Sequence, residues 1–141
     1  MLTYDELGIT VADIYEAMGY HDVLPDEATC QETLYIINKV SPLLRPRFCF
    51  FVTASLPAFD MGRIIERQLR GSEAYALFVA TAGVEFEAFQ QQLKLEGDMV
   101  RVFIADVLGT VIAEKCADRM EAALQEGIDK LQWHHTNRFS P

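Results

Sequence analysis

The segment Glu96–Gln132, EGDMVRVFIADVLGTVIAEKCADRMEAALQEGIDKLQ, constrains the fold more than any other part of the chain. Apolar residues recur along it at helical spacing: Val100, Phe103, Ile104, Val107, Leu108, Val111, Ile112, Cys116, Met120, Leu124, Ile128 and Leu131. The spacing predicts one helix of about 33 residues, about 50 Å long at ~1.5 Å rise per residue. Its first half is apolar over more than one face, which predicts extensive burial. Asp106, Thr110, Glu114 and Asp118 recur four apart and form a polar stripe down one side. A buried helix with such a stripe is either paired with something or lines something.

A chain of 141 residues suits one domain with a core of useful size. Acidic residues number 21 against 12 Lys and Arg, a net charge of −9. Phosphate backbones and anionic membrane surfaces require clustered cations, so nucleic acid and membrane are excluded as expected partners. Arg45 and Arg47, around Pro46, form the closest basic cluster and read as a strand entrance. The start, MLTYDELGIT, is polar and acidic, unlike a signal or transit sequence, and no apolar run approaches the length of a membrane span. Cys30, Cys49 and Cys116 are odd in number and far apart, the pattern of buried reduced thiols in a cytoplasmic protein.

Thr10 is positioned to cap a short helix through Met18 that stops at Gly19. Asp26 begins a second helix with Cys30, Thr33, Leu34, Ile37 and Val40 facing inward, ended by Ser41-Pro42. Arg47–Ala54 and Ala74–Thr81 are aromatic and β-branched with little alternation, which predicts strands covered on both faces. Between them Asp60 precedes a helix over Gly62–Leu69, with Ile64, Ile65 and Leu69 toward the core. After Gly83 an amphipathic helix spans Val84–Leu95; Gly97 terminates it and Asp98 caps the long helix. Strand–helix–strand order predicts a parallel pair with a right-handed crossover. Two strands make a thin sheet, so a further weak strand is expected near Leu2–Leu7 or beyond Pro141. The expected fold class is therefore α/β (or α+β): a small sheet with helices packed on it and one long helix near residues 98–131.

Three places invite a chemical reading, each beside a plainer one. The junction Thr81-Ala82-Gly83 lies where an open α/β sheet binds ligands, with the Thr81 hydroxyl and free amides turned to an anion. A tight turn with Thr81 bonded to local backbone is the alternative. The stripe has carboxylate spacing but lacks a histidine at i+3 or i+4, so no metal site is expected. Asp106 stands among Phe103, Ile104, Val107 and Leu108, so burial would demand a hydrogen bond. Gly109 in a helix interior costs about 1 kcal/mol against alanine, and a close backbone crossing would explain it. His134 and His135 read as exposed tail residues. No catalytic nucleophile–base arrangement, no nucleotide-binding glycine motif and no cofactor are evident from the residues themselves.

The run Phe78-Val79-Ala80-Thr81-Ala82-Gly83, then Glu96-Gly97-Asp98, Ala105–Glu114, Ala117-Asp118-Arg119 and finally Asn137-Arg138-Phe139-Ser140-Pro141 resembles the activation (reactivation) domain of cobalamin-dependent methionine synthase. It is closer still to stand-alone bacterial proteins carrying such a domain. The resemblance covers roughly residues 75–141 and implies a single activation-domain-like domain over 1–141 that lacks its C-terminal part. It implies S-adenosylmethionine as ligand, cobalamin only through a corrinoid protein partner, and a role in methionine biosynthesis. Arg138, matching the family's Arg-x-x-Pro-Gly-Tyr loop, would clamp the ligand carboxylate, and Ser140 would contribute backbone contacts. The family's glutamate for the ligand amino group falls on Ala122 here; Glu121, the adjacent carboxylate, is turned by about 100° around the helix. The resemblance thus implies an accessory domain of a methyltransferase rather than a self-contained catalyst. An interaction module that keeps the fold without the ligand site is the alternative, and an independent enzyme centred on Thr81–Gly83 a third reading.

Overall fold

The computed structural model describes residues 2–140; Pro141, the last residue of the resemblance, lies outside them. In chain order the elements are α1 (Tyr4–Leu7), α2 (Val11–Ala17), α3 (Glu27–Val40), β1 (Arg47–Thr53), α4 (Arg63–Leu69), β2 (Tyr75–Thr81), α5 (Val84–Glu96) and α6 (Met99–Asp129). The fold is α+β: six helices and a two-stranded sheet among the described residues, with the long helix where periodicity places it.

Side-chain chemistry sets most helix boundaries. Thr3 and Glu6 form a capping box over α1: the threonine hydroxyl accepts from the Glu6 amide, and the glutamate accepts from the Thr3 amide at 2.8 Å. Thr10 and Asp13 repeat the device on α2, with the Thr10 amide donating to Asp13 at 2.7 Å. These boxes also explain why Leu2–Leu7 is not a strand: the Thr-x-x-Glu signal closes a helical turn there. Asp26 caps α3 and Asp98 caps α6, while Gly97 ends α5 in the left-handed region at φ 77°.

The caps imply an acid-sensitive N-terminal region. Hydrogen bonds to the threonines hold the Glu6 and Asp13 carboxyls below their ordinary range, and the Thr29 amide does the same for Asp26. A carboxyl whose folded pKa is depressed contributes stability that is full above its unfolded pKa and is lost as pH falls through the folded value. Helical circular dichroism should therefore decline below about pH 4, before global unfolding, and Thr3→Ala with Thr10→Ala should shrink that early phase to the part Asp26 contributes. An early phase of unchanged size in the double variant would refute the assignment.

The sheet corrects the expected topology. β1 and β2 pair antiparallel, from Arg47 opposite Thr81 to Thr53 opposite Tyr75. A parallel pair needs a crossover helix packed on the sheet. α4 has only seven residues and none of them is buried, so residues 54–74 form a long hairpin connection instead. Asp60 bonds the Gly62 amide at 2.9 Å without capping the helix, and Ile64 lies in solvent rather than toward the core. Nor are the strands covered on both faces, since Phe51 is 60 % and Val79 64 % exposed.

The core forms around α6, which packs against α1, α2, α3, α5 and both strands. Ile104, Leu108 and Ile112 of α6 meet Ile14, Ile36, Val40 and Phe86 in one cluster. On α3 the buried positions are Thr33, Ile36 and Val40, whereas Leu34 is exposed. Of the apolar positions on α6, Val100 and Phe103 point outward. Cys116 is buried as expected, but Cys30 is half-buried and Cys49 exposed on the sheet. Burial pushes the Cys116 thiol pKa up, which keeps it protonated and inert.

Candidate functional site

The polar stripe on α6 divides into two differently paired halves. In the first, Asp106 accepts from the Gln90 side chain at 2.9 Å, and the Thr110 hydroxyl donates to the Asp106 carbonyl at 3.2 Å. Asp106 is exposed, because the apolar residues adjacent to it in sequence project around the helix on either side of it. Its neighbour Gly109 is the point of close approach: an added Cβ would lie 2.7 Å from Cε1 of Phe86. The crossing element is therefore an aromatic ring of α5, not a backbone.

In the second half, Arg138 reaches back from the extended segment after α6 and pairs with three carboxylates. Its Nη2 lies 2.6 Å from Glu114 Oε2, and its Nη1 lies 2.8 Å from both Asp118 Oδ1 and Glu121 Oε2. Bonds to Asp118 and Glu114 raise the guanidinium pKa further, so the cation is permanent. His135 adds a contact to the other oxygen of Glu121 at 3.4 Å. Residues 114, 118 and 121 share one helix side at i, i+4 and i+7 spacing, which is how one guanidinium fork spans them.

This cluster forms one rim of a groove of about 810 Å³. The groove runs between the second half of α6, the segment Trp133–Ser140, β2 and the β1–α4–β2 connection. Tyr75, Phe59, Trp133 and Phe139 supply aromatic surface, Met120 and Leu124 an aliphatic wall. The volume lies within the range typical of small-molecule sites, about 300–1,000 Å³. Three of the four residues expected to bind ligand, Arg138, Ser140 and Glu121, meet here.

Thr81 does not join them. It ends β2, about 20 Å along the strand from Tyr75 at ~3.4 Å per residue. Its hydroxyl accepts from the Gly83 amide at 3.1 Å, the local turn bond that the plainer reading describes. A shallower cleft of about 590 Å³ brings it near Gly83, Gln90, Asp106 and Thr110. Because the strands are antiparallel, the rule that places ligands at the carboxyl ends of parallel strands has no purchase here.

Ile65, expected on the inward face of α4, lines the groove, while sequence reasoning missed the contributions of Phe59 and Met61. Their signal is visible in hindsight as apolar residues inside an aperiodic connection, Met61 being buried there. Among the described residues no group of three or more His, Cys, Asp and Glu is arranged to hold a metal ion, and no helix is long and apolar enough to cross a membrane. Comparison of the chain with protein-family models and with curated proteins gives no significant match.

Proposed function

We propose that the groove beside α6 binds a small ligand, with S-adenosylmethionine the first to test, and that the protein is a cytoplasmic accessory to a corrinoid methyltransferase system rather than a catalyst of its own. One observation carries the reading: Arg138, Ser140 and Glu121, separated by up to 19 positions in the chain, line a single aromatic-walled groove of suitable size. Electrostatics supports it. Glu114, Asp118 and Glu121 outnumber the Arg138 they share, which leaves net negative charge in the cluster beside the groove, with Glu121 on the groove itself. S-adenosylmethionine carries a sulfonium and an ammonium against one carboxylate, and its adenine suits the faces of Trp133 or Tyr75.

Isothermal titration tests the proposal directly. Binding in the micromolar to millimolar range is expected, weakened at least about tenfold by Glu121→Gln through loss of the ammonium partner. No heat at about 1 mM ligand, or identical heats from wild type and Glu121→Gln, would refute it.

A second reading, an interaction module that has lost the ligand site, is favoured by the engagement of Arg138 with the protein's own carboxylates. Under that reading the protein docks on a corrinoid protein without small ligand. Direct association with a purified corrinoid protein, unaffected by S-adenosylmethionine, would distinguish the two.

A further inference from the structure

The segment Trp133–Ser140 lies along the groove, and its strongest attachment to α6 is ionic. Phe139 is half-buried and Trp133 lines the groove, yet neither belongs to the hydrophobic core. Among the described residues, backbone bonds tether only the start of the segment, where the Trp133 amide donates to the Ile128 carbonyl at 3.3 Å. Beyond that point the side-chain pairs of His135 and Arg138 with Glu114, Asp118 and Glu121 hold it down. A segment held mainly by one charged cluster loses most of its attachment when that cluster is broken.

We infer that Arg138 is a latch: engaged with Glu114, Asp118 and Glu121 it straps Trp133–Ser140 along the groove, and its release opens the groove. The inference rests on the reading of the groove as the ligand site and adds its regulation. The three helix carboxylates occupy three of the five guanidinium N–H donors, two on Nη1 and one on Nη2, so a ligand carboxylate would share the fork with the latch and weaken its hold on the helix. Neutralising Glu114 and Asp118 while keeping Arg138 and Glu121 then loosens the strap without removing either residue expected to contact ligand. Because the cluster is partly open to solvent, ionic strength acts on it in the same direction.

Trp133 is the sole tryptophan of the chain and reports on the strap without a label. Acrylamide quenching of its emission, measured on the ligand-free protein, should rise about twofold in Arg138→Gln and in Glu114→Gln/Asp118→Asn relative to wild type. Arg138→Lys should fall between wild type and Arg138→Gln. In the wild type, raising salt to about 1 M should increase quenching, and the same step should leave Arg138→Gln unchanged. Far-ultraviolet circular dichroism confirms that the helices persist in each variant, and the salt arm requires no variant at all. Equal quenching in wild type and Arg138→Gln, a rise in Arg138→Gln that the carboxylate variant does not share, or wild-type quenching indifferent to salt would each overturn the latch. No ligand enters this experiment. A working latch with no heat from S-adenosylmethionine would therefore refute the ligand and leave the strap standing.

Discussion

Leu108→Ala is expected to lower the unfolding free energy by about 3 kcal/mol, within the ~2–5 kcal/mol seen for large-to-small changes in cores. Leu108 is 0 % exposed, near the middle of the buried stretch of α6, and belongs to the cluster shared with α2, α3 and α5. Truncation removes the transfer free energy of the lost carbons and leaves a void that rigid neighbours on three helices cannot collapse to fill. Domains of this size have about 5–15 kcal/mol in total, so the change consumes a large share. Urea titration should show a lower midpoint with an unchanged slope. A loss under about 1 kcal/mol would mean that the packing around α6 is looser than the geometry describes.

The second large effect reverses an ordinary rule. Glycine to alanine in a solvent-facing helix interior gains about 1 kcal/mol from propensity. At Gly109 the new Cβ would stand 2.7 Å from Cε1 and 3.2 Å from Cζ of Phe86. Phe86 is only 4 % exposed and sits in the core cluster, so its ring cannot swing clear without disturbing its neighbours. Gly109→Ala should therefore destabilise by about 1 kcal/mol net, and the branched Gly109→Val by about 3 kcal/mol through overpacking. Phe86→Leu should recover part of the loss in combination with Gly109→Ala, a coupling visible in a double-mutant cycle. A Gly109→Ala protein more stable than wild type would show that the ring yields freely.

The elements differ in how much of their environment was legible from sequence, and the reasons are physical. Capping chemistry is local: Thr10, Asp26, Gly97 and Asp98 act within a few residues, and each lies at the boundary that its type predicts. Burial on α6 was legible as a set but not as a face. Its N-terminal half is apolar all round, so periodicity cannot choose between Ile104, which is buried, and Phe103, which is not. The same ambiguity put Leu34 in place of Ile36 on α3, while Ile37 packs partly buried against the core as its spacing predicts.

Strand pairing depended on whether the intervening helix covers the sheet, a tertiary matter that Arg63–Leu69 does not advertise in its sequence. For the groove, Arg138 was identifiable only through resemblance. Its engagement with Glu114 and Asp118 joins residues 20 or more apart, beyond the reach of local spacing. The stripe itself posed the right question, since an acidic side on a largely buried helix needs a partner. Gln90 answers for Asp106 and Arg138 for Glu114 and Asp118.

α6 has a mechanical asymmetry. Its fully buried positions run from Val102 to Met120, while nothing between Glu121 and Asp129 is fully enclosed. The rod is thus clamped along its first two-thirds and overhangs for about 13 Å at ~1.5 Å per residue. Leu124 and Ile128, which wall the groove, ride on that overhang beside Gly127, an exposed glycine that stiffens nothing. The helix is anchored like a cantilever, and the aliphatic wall of the groove stands on its least enclosed end. Under the proposed function, a ligand in the groove would therefore press on the part of the helix that the core does not enclose.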